Sequence, residues 1–137
     1  MKFKTGLEIQ TLSSSHYPVM SIKKRANEAK KRGNNLFRRG KYKKALNEYT
    51  KAIKLSPNVH NFWSNRSACY IELGRFEEAL SDGQKCITLQ PNWARGYERT
   101  GMALRKLSRM KEAAKMFEAG TFIDWFPISD PFANTNI

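Results

Sequence analysis

From Ser21 onward the apolar positions fall at helical spacing. Ile22, Ala26, Ala29, Gly33, Leu36 and Phe37 recur with that period, which predicts a long helix opened by a Ser21 cap and stopped near Gly40. A second series, Tyr42, Ala45, Leu46, Tyr49, Ala52 and Ile53, ends before Ser56-Pro57. The two series read as a helix hairpin. Upstream, Met1 to Met20 has no helical period and carries Ser13-Ser14-Ser15 and Pro18. It reads as an extended or disordered leader, with Leu7, Ile9 and Leu12 available to dock on the domain.

The stretch Asn61-Phe62-Trp63-Ser64-Asn65-Arg66-Ser67-Ala68-Cys69-Tyr70 sets the register of the rest, because its pattern recurs before and after it at a spacing of 34 residues. Gly33, Ser67 and Gly101 share position 8 of each unit, and Leu36, Tyr70 and Leu104 share position 11. Ala45, Ala79 and Ala113 share position 20, Tyr49, Gly83 and Phe117 share position 24, and Pro57 and Pro91 close the first two units at position 32. Position 20 must be small where the helices of a hairpin cross, while positions 11 and 24 supply bulk to the shared core.

This pattern resembles the tetratricopeptide repeat family over residues 26–125. The resemblance implies an all-α fold: a right-handed superhelix of three helix-turn-helix hairpins, with an irregular N-terminal leader and C-terminal tail. The expected division is a leader over residues 1–21, a repeat domain over 22–125 with units 26–59, 60–93 and 94–125, and an irregular apolar tail over 126–137. Three positions depart from the family pattern. Trp125 stands where the third proline belongs, Gly120 replaces the usual alanine at position 27, and Gly83 replaces an aromatic residue at position 24. Arrays of this kind usually cover their last hairpin with a further helix, since a terminal unit otherwise exposes its stacking surface. Phe126-Pro127-Ile128-Ser129-Asp130-Pro131-Phe132 holds two prolines and cannot supply that helix. Its apolar side chains either fold back as an irregular cap or mark where a longer protein was cut. Asp130-Pro131-Phe132 also resembles an endocytic adaptor-binding motif, a match of three residues that carries little information.

Composition and charge then narrow the partner. With 137 residues, 40% hydrophobic and 27% charged, the chain holds one soluble domain with a modest core, expected as a monomer or as part of a longer chain. No apolar run approaches the roughly 18 residues of a membrane span, and Met1 to Gln10 lacks the apolar centre of a signal peptide. The expected compartment is therefore cytoplasm, with the nucleus as an alternative, and no membrane partner is expected. Cys69 and Cys86, 17 residues apart without a CxxC or a nearby histidine pair, read as small buried residues, not as a disulfide framework or a zinc site. The net charge of +13 is local: residues 1–22 carry +1, 23–59 carry +11, 60–93 carry −1 and 94–137 carry +2. Such a field favours an acidic partner, whether peptide, nucleic acid or anionic lipid, with salt-sensitive association.

In stacked hairpins of this family the first helix of each unit lines the concave face through positions 2, 5, 6, 9, 12 and 13. The resemblance places there Asn27, Lys30, Lys31, Asn34, Phe37 and Arg38 from the first unit, and Asn61, Ser64, Asn65, Ala68, Ile71 and Glu72 from the second. The third contributes Arg95, Glu98, Arg99, Met102, Arg105 and Lys106. Seven basic residues against two acidic ones make the face net +5, with Phe37, Ala68, Ile71 and Met102 as apolar patches. Lys30-Lys31-Arg32-Gly33-Asn34, Ser64-Asn65-Arg66-Ser67-Ala68 and Trp93-Ala94-Arg95-Gly96-Tyr97-Glu98-Arg99 further resemble the dicarboxylate-clamp subset of the family. That subset occurs in a stress-inducible co-chaperone and in related immunophilins, phosphatases and ubiquitin ligases. It implies that Lys30, Asn34, Asn65, Arg95 and Arg99 hold the terminal residue of a chaperone tail ending Glu-Glu-Val-Asp, with Arg95 in place of the subset's lysine. The implied partners are the acidic C-terminal peptides of seventy- or ninety-kilodalton heat-shock chaperones. A terminal aspartate presents two carboxylates, which calls for two groups of donors, and charged donors make the shorter and stronger bonds.

Blander readings compete at each position. An asparagine in a repeat helix is often a surface residue, and Phe37, Trp63, Tyr70, Tyr97 and Phe117 fit core and stacking positions better than a base-stacking platform. Glu72 and Glu98 have no histidine or second carboxylate at a useful spacing, and His16 and His60 stand apart. No catalytic constellation, metal site or cofactor is therefore expected. Lys23-Lys24-Arg25 and Lys30-Lys31-Arg32 resemble a two-part nuclear import signal or form a solvated basic helix. Nucleic acid bound through that first hairpin is the alternative function, and a structural repeat within a larger assembly is the third.

Overall fold

Six helices make up residues 20–125, the span that the computed structural model describes. Helices α1 (Ile22–Arg38) and α2 (Tyr42–Leu55), α3 (His60–Glu72) and α4 (Phe76–Leu89), and α5 (Ala94–Lys106) and α6 (Met110–Trp125) form three successive hairpins. No strand occurs among the described residues. Helices α2, α4 and α6 start 34 residues apart, as do α3 and α5, so the sequence period is a structural one. The leader up to residue 19 and the tail over 126–137, with its Asp130-Pro131-Phe132 triplet, lie outside the described residues.

The helix boundaries follow from local chemistry. The Ser21 hydroxyl accepts the Lys24 N–H at 3.2 Å, and this cap lets α1 begin four residues ahead of the register that α3 and α5 obey. Every hairpin turn passes through a left-handed residue: Gly40 at φ 73°, Gly74 at φ 74° and Ser108 at φ 62°. The next N–H closes the turn on a helix carbonyl, Lys41 on Leu36 at 2.9 Å, Arg75 on Tyr70 at 2.8 Å and Arg109 on Leu104 at 2.9 Å. At the far end, α6 has no proline to stop it and runs two residues past the point where α2 and α4 end.

Packing inside a hairpin turns on positions 8 and 24. A Cβ at Gly33 would lie 2.6 Å from the Tyr49 ring and one at Gly101 2.8 Å from the Phe117 ring, so the missing side chain makes room for the aromatic one. The middle unit solves the same crossing differently. Ser67 Oγ donates to the Ala79 carbonyl at 2.8 Å, and Gly83 admits the next hairpin, with Thr100 Oγ1 2.6 Å from where its Cβ would stand. Ala45, Ala79 and Ala113 are 0%, 0% and 2% exposed. The position-4 rings Trp63 and Tyr97 donate to the Pro57 and Pro91 carbonyls, each at 2.8 Å, tying each unit to the proline of the unit before it. Hairpins join through α2 with α3 and α4 with α5, while α1, α3 and α5 adjoin along one side.

A buried ion pair that charge counting misses reinforces the middle unit. Arg66 Nε and Nη2 donate to Asp82 Oδ2 and Oδ1 at 2.7 and 2.9 Å, and the guanidinium lies 5.1 Å from the Trp63 ring centre. Burial pushes the Asp82 carboxyl up, against the Arg66 hydrogen bonds that favour its charged form. The first unit has the same pair at the same separation of 16 residues, Arg32 to Glu48 at 3.1 Å. A charged pair recurring at the repeat period was the sequence signal for it.

Candidate functional site

The site is assembled where α1, α3 and α5 run side by side and a ring from α2 passes between them. Asn34 Oδ1 accepts the Tyr49 hydroxyl at 2.6 Å and Asn65 Nδ2 at 3.3 Å. Asn34, Asn65 and Arg99 border one cavity of about 160 Å³, together with Phe37, Arg38, Tyr49 and Ala68. Phe37 is steadied edge-on by Tyr42, their ring centres 5.1 Å apart. Three of the five expected carboxylate ligands therefore stand around one hollow, with three of the expected lining residues.

Arg99 is the charged centre of this hollow. Its Nε is buried without a hydrogen-bond partner, and Nη1 lies 4.0 Å from the Met102 sulfur. Burial first, and the charge of Arg95 second, pull the guanidinium below its ordinary pKa. A cation withdrawn from water, with an unspent donor, gains from an incoming anion. Burial also raises the Tyr49 phenol, with Arg38 and Arg99 opposing that shift. Asn61 Oδ1 and Ser64 Oγ on α3 are likewise buried without a partner.

The remaining expected residues lie elsewhere. Lys30 is half-buried and does not border the cavity. Arg95 is exposed, its guanidinium 5.8 Å from the Trp93 ring centre, in a separate hollow with Glu98 and Asp124. An aromatic face and two carboxylates compete with the groove for this cation. Ile71, expected on the groove wall, is 8% exposed in the core cluster with Ala103 and Leu104 of α5, because the central helix has a neighbour on each side. Met102 packs against the same cluster. Arg105 lies over the Phe117 ring at 5.7 Å, and Lys106 is exposed.

Tyr49 is the groove residue that sequence reasoning assigned only to the core. The signal for it was Gly33, since a glycine across the hairpin leaves a lane through which a ring from the second helix can reach the concave side. Among the described residues no three His, Cys, Asp or Glu side chains converge, and no helix is long and apolar enough to cross a membrane.

Comparison with known proteins gives a uniform picture. Family models match two segments, "TPR repeat" over residues 33–67 and "Tetratricopeptide repeat" over residues 60–93. The Protein STIP1 homolog of Dictyostelium discoideum is 44% identical over 100 residues, which are 73% of this chain but 18% of that protein. This chain therefore corresponds to about a fifth of its curated relative. Among solved structures, the second TPR of Spaghetti (RPAP3) bound to the HSP90 peptide SRMEEVD aligns with TM-score 0.71 and 31% identity, over 74% of this chain and 94% of that one. The TPR2B domain of yeast Sti1 in complex with an Hsp70 peptide aligns with TM-score 0.73 and 29% identity, over 81% and 89% of the two chains.

Proposed function

The chain belongs to the tetratricopeptide repeat family, a family of protein-interaction modules, and on that premise we propose that its groove binds the acidic C-terminal tail of a heat-shock chaperone. In this reading it is a non-catalytic co-chaperone adaptor working in the cytoplasm. The observation that carries it is the hollow in which Arg99, with its unspent Nε donor, stands beside Asn34 and Asn65. Similar domains have been seen holding the HSP90 peptide SRMEEVD and the HSP70 peptide SGPTIEEVD, which supports the same ligand class here. Lys30 and Arg95 complete the proposed carboxylate ligands, Arg95 after leaving the Trp93 ring. Arg38 and Phe37 then contact the residues that precede the terminus.

Magnitudes favour a transient complex. Charge-assisted hydrogen bonds contribute about 1.5 to 3 kcal/mol each before ordering costs. A few of them, with one aliphatic contact, give roughly micromolar affinity. The test is calorimetric titration with a peptide ending Glu-Glu-Val-Asp, free and amidated at its C-terminus. The free peptide is expected to bind and the amidated one to lose most of its affinity; equal binding of the two would sink the proposal.

A second reading rests on another surface. The first hairpin has two carboxylates, Glu28 and Glu48, whose ion pairs engage only Lys31, Arg32 and Lys51 of its many cations. A separate hollow of about 500 Å³ is bordered by Arg25, Arg32, Lys51 and Lys54, with Glu28 and the apolar Met20, Ala29 and Leu55. This surface suits a phosphate backbone, with affinity falling steeply as salt rises. Charge removal at Lys23, Lys24 and Arg25 would weaken such binding and leave the peptide titration unchanged.

A further inference from the structure

Tyr49 belongs to a second helix, yet its hydroxyl reaches the groove by passing over Gly33, where any Cβ would lie 2.6 Å from the ring. There it meets an asparagine. An asparagine amide is nearly symmetric in shape, and turning it over exchanges an acceptor for two donors at little steric cost. Which end faces a ligand therefore has to be decided by neighbours.

In this protein the neighbours decide it. The Tyr49 hydroxyl oxygen lies 2.6 Å from Asn34 Oδ1, to which it donates, and Asn65 Nδ2 approaches the same oxygen at 3.3 Å. Turned over, Asn34 could donate to the phenol oxygen, but the Tyr49 hydroxyl proton would lose its acceptor and Asn65 Nδ2 would face a second N–H, at the usual cost of unmade hydrogen bonds. In the observed arrangement Oδ1 takes two donors, which saturates it, and the Asn34 NH₂ group remains to donate. Because burial raises the Tyr49 phenol, the hydroxyl keeps its proton throughout the physiological range.

We propose that Tyr49 is a positioning residue that sets the polarity of the groove: it holds the Asn34 oxygen inward, so that this corner offers N–H donors to a ligand and distinguishes a carboxylate from the uncharged carboxamide of the same shape. The assignment rests on the peptide-binding role proposed above and deepens it. Charge on Arg99 attracts an anion, but it does not by itself reject an amide whose oxygen also accepts. An Asn34 whose oxygen is already saturated does disfavour it, because the amide NH₂ finds no acceptor on Asn34 and is left with Asn65 Oδ1 alone, beside the Arg99 cation.

The test is Tyr49→Phe, which keeps the ring over Gly33 and removes the hydroxyl. Three peptides are titrated into both proteins: one ending Glu-Glu-Val-Asp, the same peptide amidated at its terminus, and the same peptide ending in Asn. Tyr49→Phe is expected to weaken the free acid about fivefold while leaving at least one amide peptide unchanged or tighter. Its acid-to-amide preference then collapses by about that factor. A general loss of stability would weaken all three peptides together and leave the preference intact, and an intact preference overturns the assignment. If the unaltered protein binds none of the peptides, the binding role itself has failed. The orientation is then read from NMR of the ligand-free protein, where the Asn34 side-chain amide is expected to shift and exchange faster in Tyr49→Phe. Unchanged Asn34 amide signals overturn the assignment in that case too.

Discussion

At the scale of single residues, burial separates side chains that sequence alone ranks as equals. Arg95 and Arg99 sit four residues apart and both match basic positions of the carboxylate clamp. Arg99 stands in the cavity with its Nε unpaired, while Arg95 is exposed over Trp93. Arg99→Ala should therefore cost a free-acid peptide tenfold or more, as expected for about 1.5 to 3 kcal/mol of charge-assisted bonding. Arg95→Ala should cost about threefold, because part of its gain is spent on leaving the ring; calorimetry with both variants checks the order. The two cysteines give a prediction of opposite kind. Burial pushes the Cys69 thiol up to about 12 and the Cys86 thiol up to about 11, above the ordinary value near 8.5. The fold thus keeps two protons that the unfolded chain releases. Their contribution is whole below about pH 8.5 and declines as pH rises toward the folded-state values, the loss reaching about 2 kcal/mol per thiol by pH 10. Urea unfolding at pH 7, 9 and 10 should show that decline, and a Cys69→Ala/Cys86→Ala protein should show a shallower one.

At the scale of elements, the turns offer a controlled comparison, because three copies of one turn differ in one residue. Gly40 and Gly74 adopt φ 73° and 74° without strain, whereas Ser108 adopts φ 62° with a side chain attached. A left-handed residue with a Cβ costs about 1 to 2 kcal/mol, and a new glycine gives back about 0.5 to 1 through the freedom of the unfolded chain. Ser108→Gly should therefore stabilise the protein by about 0.5 kcal/mol, and Gly74→Ser should destabilise it; a pair of urea midpoints decides both. The same repetition explains how much was legible beforehand. The starts of α2, α4 and α6 and the small residues at position 20 recur at the 34-residue period, and the Gly33–Tyr49 crossing returns as Gly101–Phe117 in the third unit; periodicity is what a sequence displays. Ile71 turns from the groove wall into the core because position 12 of the central helix packs with Ala103 and Leu104 of α5, a contact that depends on the next unit. The drift of Arg95 toward Trp93, Glu98 and Asp124 was not legible either, since it depends on the outer face of the last hairpin, where no repeat follows to set the pattern.

At the scale of the whole molecule, the two ends of the described array differ in chemistry. The first end is mixed: Arg25, Glu28, Arg32, Lys51 and Lys54 ring a hollow that Met20, Ala29 and Leu55 also line, so charged groups border its apolar part. The last end presents Phe117, Phe122 and Trp125 around a hollow of about 430 Å³, with Phe122 55% and Trp125 76% exposed. A stacking face with partly exposed aromatic rings attracts another apolar surface, because each buried Å² contributes about 25 cal/mol. A chain ending at Trp125 should therefore bind a hydrophobic dye and associate as its concentration rises. Replacing the two rings in that shortened chain, Phe122→Lys with Trp125→Glu, removes the attraction while touching residues that contribute little to folding, since exposed positions usually change stability by about 0.5 kcal/mol or less. Sedimentation of the shortened chain with and without the two substitutions separates the outcomes: self-association lost on substitution locates the contact at this face. Association that persists would instead assign it to the concave groove or to the first hairpin, and the apolar end would then be a passive surface.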